Sequence, residues 1–162
     1  MDVTITTTPE LVLVGHAARV PLIHEGANPH IQAHIASIAP EEHLRLKAMS
    51  DAEPGGILAV TGDVAPDAPE GTELTYLHGV SVSASTVVPD DLDAIRVEAG
   101  AWAVFSASGP FPETLQTLWA ATATEWFPSN PWRLRPGPSI VRYLEFTGSH
   151  ASCELWLAVE PA

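Results

Sequence analysis

The sequence of 162 residues has a single cysteine, Cys153, so no internal disulfide can staple it, and a reducing compartment is the expected setting. Cations are scarce: seven Lys and Arg stand against twenty Asp and Glu, a net charge of −13. That field repels phosphate backbones and anionic lipid, which excludes direct nucleic-acid binding as the main activity. No apolar run approaches the ~20 residues that cross a bilayer, so no membrane segment is expected. The start, Met1-Asp2-Val3-Thr4, lacks the basic and apolar segments of a secretion signal, and a cytoplasmic protein is expected. There is no Cys-x-x-Cys pair, no phosphate loop and no dinucleotide fingerprint. "SASG" at Ser106 to Gly109 is not a nucleophile elbow, and no cofactor is expected. His30 and His34 sit at i, i+4, but "HIQAH" lacks the Glu of zinc proteases and no further ligand follows at a fixed spacing. No metal is expected there. Cys153 lies on the apolar side of its strand and reads as an inert buried thiol.

What is present is apolar and punctuated. Apolar residues make up 46% of the chain, enough for one domain with a real core, and fifteen prolines break it into segments. Glu10 to Leu22 reads as a strand. Asn28-Pro29 opens a helix whose stripe is Ile31, Ile35 and Ile38; Pro40 interrupts it, and "EEHLRLKAM" restarts helix to about Met49, with acids in its first turn and bases later. Ile57 to Thr61 and Glu73 to Ser83 are strands. Ala94 to Ser106 reads as one long strand with a bulge at Gly100. Leu115, Leu118, Trp119, Thr122 and Trp126 form a helical face from Pro112 to Trp126, and Pro128 ends it. Ile140 to Phe146 and Cys153 to Val159 are two more strands. On the last, Cys153, Leu155, Leu157 and Val159 share one face, and Glu154, Trp156 and Ala158 the other. Each half thus runs strand, helix, strand, strand. The expected fold is α+β: half-repeats of about 1–84 and 85–162 in one domain, with an antiparallel sheet, helices on one face and a groove at the pseudo-twofold.

The stretch "EWFPSNPW", Glu125 to Trp132, concentrates aromatics in a proline-broken loop. The helical stripe puts Trp126 with Trp119 against the core. Phe127 and Trp132 lie off that stripe and fit either the core or the rim of a pocket. Glu125 is a solvated helix end or, if buried against aromatics, an acid of raised pKa. Glu154 shares the face of Trp156 and is the best remaining acid for a groove; a solvated sheet face would explain it as well.

Five pieces in order carry a resemblance: "YLHGVSV" (Tyr76 to Val82), "IRVEAGAWAVFSASGP" (Ile95 to Pro110), "EWFP" (Glu125 to Pro128), "PSIVRY" (Pro138 to Tyr143) and "ELWLAVEP" (Glu154 to Pro161). Their order and spacing resemble the GyrI-like family, the effector-binding domain of AraC-type and multidrug-sensing regulators. The resemblance implies a tandem strand-helix-strand-strand duplication and a groove for a drug-like molecule, lined here by Trp102, Tyr143, Trp126, Phe127, Trp132, Trp156 and Tyr76. It implies a stand-alone binder of a small aromatic or polycyclic molecule, which protects by sequestration. The alternatives are a hydrolase of a reactive natural product on the same fold, with Glu154 and Glu125 as its acids, and a protein that modulates DNA gyrase. Where family members often carry carboxylates this sequence has Val141 and Ser81, and Trp102 replaces a Tyr. With those acids gone, a neutral aromatic ligand is expected over a cationic one. Neither the ligand nor the oligomeric state is legible.

Overall fold

The computed structural model describes residues 1–24 and 26–162. The strands are β1 (Asp2–Thr8), β2 (Leu11–Pro21), β3 (Leu58–Gly62), β4 (Glu73–Ser83), β5 (Asp93–Val97), β6 (Gly100–Pro110), β7 (Trp132–Leu134), β8 (Ser139–Phe146) and β9 (His150–Pro161). They form a single antiparallel sheet in the order β1-β6-β9-β8-β3-β4-β2-β5, with β7 added to the far end of β9. The helices are α1 (Pro29–Ala36), α2 (Pro40–Met49), α3 (Glu113–Ala121) and a one-turn α4 (Phe127–Ser129). Among the described residues no helix is long and apolar enough to cross a membrane.

The local chemistry explains the helix limits. Asn28 caps α1, its side-chain oxygen accepting from the backbone N–H of His30 and Ile31 with Pro29 in the first turn. The helical stretch over 29–49, with its expected interruption at Pro40, is two helices parted at 37–39. The second expected helix, to Trp126, ends as a π-helical turn, Thr122–Trp126. The hydroxyls of Thr122 and Thr124 donate to the carbonyls of Trp119 and Ala120, and Pro128 offers no N–H to the ladder. Pro128 therefore falls inside α4 rather than stopping the chain of turns at Trp126.

Two strands depart from the sequence pattern. β1 was not expected, since its threonines mask the alternation of Val3 and Ile5. The long strand of 94–106 is two strands: β5 pairs with β2, and β6 pairs with β1 and β9. The chain changes neighbours at 98–99 instead of bulging at Gly100. Gly100 has its own reason: a Cβ there would lie 2.8 Å from the Arg135 guanidinium.

The strand order reads the same from both ends when the halves are exchanged: β1 with β5, β6 with β2, β9 with β4, β8 with β3. The α+β duplication thus holds, with one strand added to each half and handed across to the other. Helices cover one face. Leu46 of α2 packs on Val12, Val14, Val80 and Val82; Ile31 and Ile35 of α1 pack on Val20, Leu74 and Tyr76; Leu118 and Trp126 pack on Ala103, Phe105, Leu155 and Leu157. The other face is just as apolar. There Leu11, Leu13, Leu58, Val60, Leu77, Trp102, Val104, Ile140 and Trp156 form one buried cluster drawn from both halves. These side chains are buried although no helix covers that face.

Candidate functional site

α1 and α2 pack on β2 and β4, whereas α3 packs on β6 and β9. The central strands β3 and β8 are left beneath the seam between the two helix sets, where the pseudo-twofold passes. On its floor Ala59 pairs with Val141, and Ala59 packs against both the α1 and the α3 cluster. One wall is Tyr76 of β4, almost fully buried, with the His34 ring edge-on at 6.0 Å. The other is Tyr143 of β8, flanked by Phe111 at 5.9 Å and Phe146 at 5.4 Å. The helix sets are bridged above by two hydrogen bonds: Gly26 N–H to Gln116 Oε1 at 3.3 Å, and Gln116 Nε2 to the Gly26 carbonyl at 2.9 Å.

The tyrosines are the chemically distinctive part of this seam. Burial first, and then the nearby Tyr143, push the Tyr76 phenol above its ordinary range. Burial, with Cys153 adding to it, pushes Tyr143 up to about 12. Both phenols stay neutral at any physiological pH, and neither hydroxyl has a hydrogen-bond partner among the described residues. Among the described residues the enclosed side-chain polar atom without a partner is Arg135 Nη2, so the two unpaired phenol oxygens reach open space and form a receptive polar point in an apolar seam.

The residues singled out in the sequence do not converge on one place. Tyr76 and Tyr143 face the seam. Trp126 packs edge-on to Phe105 at 5.1 Å and Phe127 at 4.9 Å, so it belongs to the core under α3, and Phe127, Trp132 and Trp119 lie against the same cluster. "EWFPSNPW" is thus the apolar anchor of the second helix set. Trp102 is fully buried on the opposite, helix-free face, its indole N–H donating to Thr8 Oγ1 at 2.9 Å, with the Arg135 guanidinium 5.2 Å from its ring. Glu125 lies on the outer surface, in a shallow hollow with Met1, Pro110, Glu113 and Ala121.

Glu154 and Trp156 line a separate cleft of about 370 Å³ on the helix-free face. Thr4, Thr6, Thr7, Thr8, Val104, Ser106, Arg142 and Glu53 complete it. Glu53 was missed in the sequence, where Asp51 to Gly56 read only as a turn. Its position depends on Ser81, one of the two places where a carboxylate is replaced. The buried Ser81 hydroxyl donates to the Glu53 carbonyl at 3.2 Å, and the Ser81 carbonyl accepts from the N–H groups of Asp51 and Ala52. Val141, the other such place, is on the floor of the seam.

An antiparallel sheet repeated about a twofold, with a helix set on each half and an aromatic seam between them, defines a class of small-molecule-binding α+β domain. The chain belongs to the GyrI-like small molecule binding domain family, whose model matches residues 1–160. Solved structures agree on the fold. SAV2435 bound to tetraphenylphosphonium superposes with a TM-score of 0.68 at 18% identity, over 99% of this chain and 94% of that one. A Staphylococcus aureus MU50 protein described as a bacterial transcription regulation protein gives 0.64 at 19%, over 99% of both chains. The EcmrR C-terminal domain gives 0.62 at 14%, over 99% and 98%. No curated protein matches the chain.

Proposed function

We propose that the protein holds a neutral, aromatic, drug-like molecule in the seam between Tyr76 and Tyr143, and that it acts by sequestering it in the cytoplasm. The observation that carries this reading is the pair of largely buried tyrosines, their hydroxyls unpaired among the described residues and not enclosed, over the Ala59–Val141 floor. An aromatic ligand would stack among Phe111, Phe146 and the tyrosines, and a carbonyl or ether oxygen on it would accept from the phenols. The ligand bound to SAV2435 is a lipophilic aromatic cation. In this chain Val141 supplies no negative charge to the seam, and Glu154 and Glu125 lie elsewhere. Burial of a cation there would cost more than an aromatic ring returns, about 0.5–2 kcal/mol. The distance of both glutamates from the phenols also favours holding the ligand over hydrolysing it.

Tryptophan fluorescence tests this, with tetraphenylphosphonium and neutral triphenylphosphine oxide as probes. The neutral compound binds more tightly to the native chain, and Tyr143→Phe weakens it by about three- to tenfold, one hydrogen bond's worth. Val141→Glu shifts the preference toward the cation. A native chain that binds the cation about tenfold more tightly, with no change in Tyr143→Phe, would sink the reading. Product formed beyond one equivalent of a reactive ligand would favour a hydrolase instead.

A further inference from the structure

We propose that the cleft on the helix-free face is a second binding site, for a small organic cation of the amidinium or guanidinium type, and that Arg142 is its resident occupant. Its volume of about 370 Å³ falls at the small end of the ~300–1,000 Å³ typical of ligand pockets. Glu53 and Glu154 bring two negative charges to the lining and Arg142 one positive, so the cleft has room for one more cation. A chain of net charge −13 concentrates such ions near its surface.

The bonding around Glu154 is lopsided. Its Oε1 accepts both the Trp156 indole N–H at 3.2 Å and Arg142 Nη1 at 3.3 Å. Oε2 has no partner among the described residues. The indole bond fixes the carboxylate, because Trp156 is itself buried and braced edge-on by Trp102 at 5.9 Å. Arg142, by contrast, uses one of five donors, at a long distance, and keeps a third of its side chain exposed. A guanidinium meeting a carboxylate well makes two parallel bonds. This one makes a single bond, which leaves a two-donor site open on a fixed carboxylate. Arg142 and Glu154 are direct cross-strand partners on β8 and β9, so the arginine can swing out to solvent without moving the backbone. A planar two-donor cation would displace it, take both oxygens of Glu154, and lay its hydrocarbon part along Trp156 and Val104. The hydroxyls of Thr4, Thr6 and Ser106 would meet its remaining N–H groups. This site lies on the opposite face from the tyrosine seam and does not depend on what the seam holds.

Benzamidinium and its neutral analogue benzamide, titrated into the full chain by calorimetry, test the proposal. The expected result is a preference for benzamidinium of about fivefold or more in the native chain. Arg142→Met and Arg142→Gln each tighten benzamidinium by about another fivefold, because the internal competitor is gone, and leave benzamide unchanged. Glu154→Gln removes the preference. A saturating neutral polycyclic compound in the seam leaves these affinities unchanged. Equal binding of benzamidinium and benzamide, no binding of either, or no gain in both arginine variants would overturn the proposal. Both arginine variants change a partly exposed side chain, so the test stands even if Glu154→Gln were to fold poorly.

Discussion

When β2 is laid on β6 and β4 on β9, first residue on first, the two halves place different chemistry at the same points. On the helix face the cross-strand pair His16–His78 of one half falls on Phe105–Leu155 of the other. α3 and its π-helical turn dock on the second pair through hydrocarbon, with Trp126 at 5.1 Å from Phe105. α1 and α2 dock on the first pair through titratable rings. His78 Nε2 meets His43 Nδ1 at 3.0 Å, His16 Nε2 meets Glu42 Oε1 at 2.9 Å, and His34 Nε2 meets the His16 carbonyl at 2.8 Å. Arg45 joins the group by bridging Glu42 to Asp91. On the other face the facing pair Gly15–Gly79 falls on Val104–Trp156. The glycine pair lets two backbones touch, and the Val–Trp pair walls a cleft. A duplicated frame constrains where residues stand and leaves open what they do.

The harshest way to break the comparison is at the glycines. A Cβ on Gly79 would lie 2.1 Å from the Val14 carbonyl oxygen, and one on Gly15 2.1 Å from that of His78. Neither obstacle is a side chain that could rotate away. Gly79→Ala should therefore cost more than about 3 kcal/mol, while Val104→Ala at the matching place costs about 1–2 kcal/mol. Urea unfolding of the two variants checks this, and equal losses would mean that the halves are not packed as described.

A smaller effect is expected at Trp102, which falls on Leu13 of the other half. Leucine needs no polar partner, but the buried indole N–H depends on Thr8. Thr8→Val should cost about 1–3 kcal/mol by orphaning that donor, and Thr8→Ser should recover most of it. Thermal melts of the two variants would show whether the hydrogen bond or the shape of Thr8 matters.

The mildest effect is that of acid. Burial, then the neighbouring His43, His34 and His16, lower the His78 pKa from 6.5 to about 4. The folded state thus keeps His78 neutral, and the unfolded chain takes up its proton near 6.5. Stability from this group is complete above 6.5, falls as the pH drops through that window, and is fully lost below about 4. After screening, the loss is on the order of 1–2 kcal/mol. Hydrogen exchange should show α2 amides opening more readily between those values while α3 amides hold. His78→Leu, which copies the other half, should flatten the dependence. Equal acid sensitivity in α2 and α3 would contradict it.

Much of the fold was legible because periodicity reports one-sided burial: the strands of β2, β4, β8 and β9 and the α3 stripe follow from it. β1 was hidden by its own threonines, which line a cleft rather than a core. The β5–β6 break was hidden because a change of strand partner leaves no mark on alternation. The site was less legible. Val141 pointed to an uncharged seam, yet the spacing could not show that Tyr76 and Tyr143 face one side of the sheet and Glu154 and Trp156 the other. Glu53 could not be found at all, because its role rests on a long-range bond from Ser81.

The exchanged outer strands bear on how such a chain can be divided. β1 belongs in sequence to the first half but pairs with β6, and β5 belongs to the second but pairs with β2. A cut in the turn at 84–89 would leave each fragment holding the other's border strand. Neither piece could close its own sheet, and each would expose a vacant edge that only its counterpart, or a second copy of itself, can fill. The halves resemble clasped hands more than adjoining rooms: separable in sequence, but interlocked in space.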